Sequence, residues 1–428
     1  MVKEELMNIQ LLLTAVILIA VVYMFFSPRF PNAVVATIGA VAVSLTGSVP
    51  FKTVFTNYAS TSIVLMIGMM IVGGGMFHTG FAGWLGNKIV SKTGSGMKNI
   101  QVVAILSGAI LSSACSGSAA MMILYPIFCS ICVASNVSVS KVMFPMFAGI
   151  GMGSFMTLAG SGMGPATAAV LMENGYEGWE FFGPTTVGLP KAIIYSILLV
   201  LFMNKLLPDT HIMPDQSDIK GNNNLPEKLE GKMIISALIL VVTIVGMVVN
   251  LDACPMHICA AIGGIASVLF GCLNQKQMFL SINWSTVFMI GGMTAVAKGM
   301  QESGLGEVIA NGMMSIFGSN PSSFAIMMAV FFTTGIITQF MSNNAAVSIM
   351  APIAISIAQN MGIEPYAFVM AALMGSGIGC LTPMATPILA FIMESGHYSP
   401  RDVFKWGLME CLAMIIAVAI FVPFFWMR

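Results

Sequence analysis

The sequence is short of charge. Only 8% of its residues are Asp, Glu, Lys or Arg, and the 17 basic and 17 acidic side chains cancel. An ordinary soluble protein carries about 25%. With 57% of the chain hydrophobic and a mean hydropathy of +0.92, so few charges cannot cover the apolar surface of a water-soluble fold. The scarcity excludes a soluble enzyme, a nucleic-acid binder with a basic face and a disordered chain. Histidine is also scarce: His78, His211, His257 and His397 form no HExxH or similar spacing, so no metal centre is read from them. No GxxxxGK[ST] loop occurs, which disfavours an energy-coupling ATPase. No nucleophile–base pair or metal constellation falls inside the apolar runs, which argues against a membrane enzyme, and no cofactor is expected. Eight cysteines in 428 residues make no disulfide scaffold. Cys129 and Cys132 form a CxxC inside the apolar run 123–134, without a His or acidic neighbour, and read as packing residues.

What the chain does have is long apolar runs, at 9–26, 32–49, 60–77, 183–207, 233–250, 256–273, 286–300 and 403–426. Runs near twenty residues suit helices that cross a bilayer, and they lack the ten-residue alternation of a membrane β-barrel. The expected fold is an all-α polytopic membrane protein with about ten spans, multi-pass in the inner (plasma) membrane. The first run is too long for the core of a cleavable signal and reads as the first span.

The chain repeats itself around one polar stretch. At an offset of 226, Ser116 to Pro126 lies over Ser342 to Pro352, and eight of the sixteen positions from Ser116 to Ile131 are identical to their mates. Gly149, Gly151 and Gly153 fall over Gly375, Gly377 and Gly379, and Met172-Glu173-Asn174-Gly175 matches Met393-Glu394-Ser395-Gly396 at an offset of 221. We therefore divide the chain into a first repeat, 1–207, a cytoplasmic linker, 208–232, and a second repeat, 233–428. Repeats of this kind are a ground plan of secondary transporters.

Each repeat carries an interrupted region. In the first, two apolar arms flank SSACSGS, predicting a re-entrant hairpin at about 100–134; in the second the tip is TQFMSNN, with a hairpin at about 323–358. Non-helical backbone at such a tip is tolerated only where it is buried or lines a wet cavity. A helix broken by Gly and Pro follows each hairpin, at about 142–175 and about 366–395. Three spans, a hairpin that does not cross, a broken span and a last span make five crossings per repeat, so the repeats should be inverted. Charge agrees. With both termini outside, twelve basic residues between Arg29 and Lys405 fall inside, against Lys3, Lys52 and Arg428 outside, as the positive-inside bias requires.

The tips and breaks concentrate hydroxyls and amides: Ser112, Ser113, Ser116 and Ser118 with Thr157 and Ser161, and Thr338, Ser342, Asn343 and Asn344 with Thr382 and Thr386. Half-helix N-termini suit a carboxylate. Half-helix C-termini, hydroxyls and free carbonyls suit a hard cation such as sodium. The glycine runs read as close packing. Lys298, Glu394 and His397 are the nearby ionisable side chains; the last two read as interfacial.

The motif Ser342-Asn343-Asn344, the turn Ala385-Thr386-Pro387, the stretch WSTVFMIGGMTAVAKGMQESGL from Trp284 and the ending YSPRDVFKWG from Tyr398 resemble the divalent anion:sodium symporter family of the ion transporter superfamily. Over most of 50–428 the resemblance implies a homodimer of inverted repeats that moves a small anionic substrate by an elevator mechanism. It implies sodium sites between each tip and its broken helix, at Ser112, Ser116, Gly117 and Gly160, and at Thr338, Ser342, Asn343 and Ala385. It implies substrate contacts at Ser118, Ser161, Asn343, Asn344, Thr386 and Pro387. The chain departs from the pattern at Ser116-Gly117-Ser118, which lacks the amide, at Gly160-Ser161-Gly162, which replaces Gly-Thr-Pro, and in one fewer N-terminal span. The implied function is a sodium-coupled carrier of di- or tricarboxylates or another divalent anion. Alternatives are the membrane subunit of a tripartite uptake system, a proton-coupled carrier or exchanger, and an ion channel.

Overall fold

The structure, a computed structural model, describes residues 2–26, 29–81, 83–85, 88, 96–114, 116–207, 230–249, 254–316, 322–381 and 386–427. Nearly all of the 208–232 linker lies outside these residues, as do Thr382, Pro383 and Ala385 of the second break. The described residues are helices and turns, with no sheet among them.

The first repeat begins with α1 (Val2–Phe26) and α2 (Asn32–Leu45), and a short helix at Phe51–Thr56 leads into α3 (Thr61–His78). The apolar run suggests that α2 continues to 49. It stops earlier because Gly47 adopts φ +77°, a left-handed turn that glycine takes at little cost. The hairpin arms are α4 (Met97–Ala114) and α5 (Gly117–Ser135), and the broken helix is α6 (Met143–Gly153) and α7 (Met163–Glu173), followed by α8 (Thr185–Leu206). Helix α4 has 18 residues, about 27 Å of helix, and is longer than its apolar core suggests. Its first turns carry Gln101, which is buried with its Nε2 donating to the Lys141 carbonyl at 2.9 Å.

The second repeat has the same order. It runs through α9 (Gly231–Val249), α10 (Met256–Leu269), α11 (Gln275–Ser281), α12 (Trp284–Glu302) and α13 (Leu305–Ile316). The hairpin is α14 (Ser323–Ile337) with α15 (Asn343–Asn360), the broken helix α16 (Tyr366–Ser376) with α17 (Pro387–Ser395), and α18 (Pro400–Trp426) comes last. The second arm of each hairpin carries a proline at the same register, Pro126 and Pro352. In each, a serine one turn on, Ser130 or Ser356, donates to the proline carbonyl at 3.0 or 3.1 Å.

Among the described residues five helices are long and apolar enough to cross a membrane: Phe51–His78, Met97–Ala114, Thr185–Met203, Gly231–Val249 and Pro400–Trp426. A sixth span forms if α11 and α12, bent by 52°, count as one. The shorter apolar helices include hairpin arms and half-helices, but also Ile9–Phe25, Asn32–Leu45 and Met256–Leu269, which the apolar runs offered as full spans. Helix length alone among the described residues therefore gives fewer than the ten spans expected from the sequence. The exterior fits a lipid solvent: Val200 is 80% exposed and Leu269 78%, a loss in water but not among acyl chains.

The halves are woven together. Helix α2 packs along α12, and α10, its counterpart in the second half, packs along α3. Within each half the first hairpin arm packs on the first half of the broken helix, α4 on α6 and α14 on α16. Glycine makes this approach possible. A Cβ at Gly149 would run into the Ile105 backbone, and one at Gly375 into the Phe331 carbonyl. Small residues at the contact let two backbones meet where no water-driven force would press larger side chains together.

Candidate functional site

Four half-helices begin at one place. Helices α5, α7, α15 and α17 all start at the wall of a cavity of about 270 Å³. They contribute Gly117 and Ser118, Gly162 and Met163, Asn343 and Asn344, and Thr386 and Ile388. The chain folds this way locally because capping hydroxyls stand before three of the starts. Ser116 Oγ accepts from Ala119 N at 3.4 Å, Ser342 Oγ from Ala345 N at 3.3 Å and Thr386 Oγ1 from Leu389 N at 3.2 Å. A cap satisfies one N–H and leaves others of the first turn free. Four N-termini therefore give the cavity several backbone donors and the partial positive ends of four helices, with no lysine or arginine among the described residues of its wall.

Opposite the N-termini lie carbonyl ends tied to the tips by hydroxyls. Thr338 Oγ1 donates to Asn343 Oδ1 at 2.7 Å and lies 3.2 Å from the Ser376 carbonyl, joining the second tip to the second break. Gln339 Nε2 donates to the Ile378 carbonyl at 3.0 Å. In the first half, Thr157 Oγ1 donates to the Ser113 carbonyl at 2.6 Å and accepts from Ala159 N and Gly160 N at 3.2 Å each. Ser112 Oγ pairs with Ser154 Oγ at 3.0 Å. Each half thus gathers hydroxyl, carbonyl and, in the second half, amide oxygens of the kind that replace a sodium ion's water.

Of the residues singled out in the sequence, Ser116, Gly117, Ser118, Gly160, Ser161, Ser342, Asn343, Asn344 and Thr386 line the cavity together. Ser112 and Thr338 are fully buried and stand behind the wall. Pro387 opens α17, and Ala385 lies outside the described residues. A second cavity of about 310 Å³ adjoins the first and shares Ser116, Ser118, Ser161 and Gly162 with it. Cys129 and Cys132 are fully buried.

Several contributors were not read from the sequence. Ser154, the mate of Cys380 in the repeat, places its hydroxyl 3.4 Å from where a Cβ on Gly117 would stand. Asn32, at the start of α2, donates to Ser342 Oγ at 3.1 Å. Asn283 and Thr286, at the start of α12, reach the cavity wall. A carboxylate, Glu410, reaches it too, ion-paired with Lys191 at 2.7 Å. The place of Ser154 in the first break, a hydroxyl beside the glycine run, could have raised it; nothing in the local pattern marks the other four.

The chain is similar in sequence and in fold to known proteins. An uncharacterized transporter of Escherichia coli, YfbS, is 27% identical over 205 residues, 47% of this chain and 33% of that protein. The Na(+)/citrate cotransporter of Rattus norvegicus is 29% identical over 146 residues, 34% of this chain and 25% of that protein. The aligned stretches thus span about a third or less of these relatives' own lengths. Among solved structures, that of Neisseria gonorrhoeae MtrF, described with a class of antimetabolite efflux pumps, superposes with a TM-score of 0.60 at 14% identity, covering 86% of this chain and 83% of that one. That likeness establishes the fold, an all-helical multi-pass membrane fold. The model of the citrate transporter family (CitMHS) matches residues 14–372 and again 251–428, nearly the whole chain. Transporters make up this family, not enzymes, and the resemblance to divalent anion:sodium symporters agrees with it. The chain belongs to the citrate transporter family.

Proposed function

We propose that this protein is a sodium-coupled secondary transporter of small di- or tricarboxylates, or another divalent anion. The observation that carries the reading is the meeting of four half-helix N-termini at one cavity of about 270 Å³. Such a site holds an anion by backbone donors and the Asn343 and Asn344 amides, and its size suits a small metabolite. The sodium part rests on the oxygen clusters behind each tip, Thr338 with Asn343 and Ser376, and Ser112 with Ser154. Sodium bound there would stiffen the tip and favour the anion beside it, which is the coupling a symporter needs.

In this reading the hairpins and broken helices travel together across the bilayer as an elevator, within a homodimer of inverted repeats. The termini face outward and the 208–232 linker inward. The likeness to a protein named as a sodium/citrate cotransporter supports the substrate class. The test is uptake of a labelled carboxylate and sulfate panel into proteoliposomes, with and without an inward sodium gradient. Sodium-driven accumulation of one of these anions is expected. Uptake that followed a proton gradient and ignored sodium would overturn the coupling.

A further inference from the structure

Among the described residues, Lys191 and Glu410 are the charged side chains that are fully buried, at 0% and 3% exposure. Lys191 stands on α8 and Glu410 on α18, and the ammonium donates to Glu410 Oε1 at 2.7 Å. It also reaches the Gly151 carbonyl at 3.3 Å. Gly151 lies two residues before the end of α6, so this carbonyl is one of the four that the helix leaves without an internal partner. The rings of Phe155 and Tyr195 stand 5.5 and 5.4 Å from the ammonium, within the range of cation–π attraction. A Cβ at residue 151 would lie 2.9 Å from Glu410 Oε1, so glycine there lets the carboxylate come close to the helix end without shifting. The carboxylate itself forms part of the cavity wall.

A charge pair in this setting calls for an explanation. Burying two ions is rarely worth more than burying two apolar side chains of the same size, and ionisable residues inside a membrane usually serve function. The pair is also not repeated: at the offset of 221, the mates of Lys191 and Glu410 are Leu412 and Leu189. Its chemistry is that of a cation site. A carboxylate and the negative end of a half-helix face one point, and a positive charge occupies it.

We infer that Lys191 is a resident cation, filling with the chain's own ammonium a site formed by the Gly151 carbonyl and the Glu410 carboxylate, and that a sodium ion takes this site when the ammonium is removed. In the native protein this third place contributes no ion to coupling. The inference goes beyond the transport reading, and its test needs no uptake.

Thermal melting of the purified full-length protein in sodium chloride, against choline chloride at constant ionic strength, tests it. Lys191→Met should melt well below the parent in choline and recover in sodium. Once sodium exceeds half-saturation, each tenfold rise should raise the variant's folding constant about tenfold more than it raises the parent's, the signature of one additional bound ion. Lys191→Arg, which keeps the charge, should respond as the parent does. Lys191→Met/Glu410→Gln, which removes the carboxylate charge, should lose the extra response. A Lys191→Met protein whose sodium response equals the parent's overturns the inference, and so does one that no sodium concentration restores. The parent's own response, read in the same experiment, separates this outcome from a failure of the sodium-coupling proposal.

Discussion

Replacing Thr338 by valine removes one hydroxyl and almost nothing else. The side chain is fully buried, and Val fills nearly the same volume. The hydroxyl is 2.7 Å from the half-buried Asn343 Oδ1 and 3.2 Å from the Ser376 carbonyl, and its one proton serves the nearer of them, so its loss removes one hydrogen bond from the contact between tip and break. An acceptor left unsatisfied by burial costs about 1–3 kcal/mol, and the exposure of Asn343 to the cavity puts this loss at the low end. If the same oxygen is a sodium ligand, an incomplete shell weakens the ion by at least about 1.4 kcal/mol, a factor of ten. Sodium-dependent uptake in proteoliposomes, at saturating substrate, should then reach half its maximum at a sodium concentration about tenfold or more above the parent's. Thr338→Ser, which keeps the oxygen, should stay within a few-fold. The melting temperature without sodium reports the structural part of the loss separately. A Val variant that folds, transports and keeps the parent's sodium dependence would refute Thr338 as a ligand.

The two tips should answer unequally to substitution. Asn343→Ala removes an amide that can donate to a carboxylate, a bond worth about 1.5–3 kcal/mol when one partner is charged, and should weaken substrate binding by about ten- to a hundredfold, measured by calorimetry at saturating sodium. Gly117→Ala should weaken it less than about tenfold. Its methyl would stand 2.9 Å from Ile150 Cγ2 and 3.3 Å from Ile388 Cδ1, so those side chains must give way slightly, but no donor is lost; equal small effects at both positions would remove Asn343 from the substrate site. For orientation, a lone cysteine at Asn223 should resist an impermeant thiol reagent added outside intact cells and react after lysis. Labelling from outside would reverse the assigned topology.

The hairpins and breaks were legible because each violates a simple rule. An apolar run that meets SSACSGS or TQFMSNN cannot continue as a lipid-facing helix, and the same violation at the same register in both halves made the tips stand out. The convergence of Ser116 to Ser118, Ser161, Ser342, the amides of Asn343 and Asn344, and Thr386 on one cavity follows from that repeat.

What stayed hidden were pairings across long sequence distances. Lys191 and Glu410 are 219 residues apart, and each looks like an isolated charge near the edge of an apolar run. Asn32 and Ser342 are 310 apart. A hydropathy pattern shows that a residue faces inward, but not which helix it will face. Local backbone conformation was hidden in the same way: the early end of α2 depends on the left-handed turn at Gly47, which an apolar run does not reveal.

The exchange of partners between the halves has a consequence for how the chain is made. Helix α2 finds its main neighbour in α12, which begins about 240 residues later. At about 5–20 residues per second, synthesis leaves the face of α2 that contains Ala36 waiting on the order of ten to fifty seconds before Gly292 arrives to lie against it. During that interval the newborn first half sits in the bilayer with an unfinished helix–helix seam, open to lipid and to the wrong neighbour. The order of synthesis thus makes the yield of correctly assembled protein depend on what shields this seam during the wait, as well as on the α2–α12 contact that finally closes it.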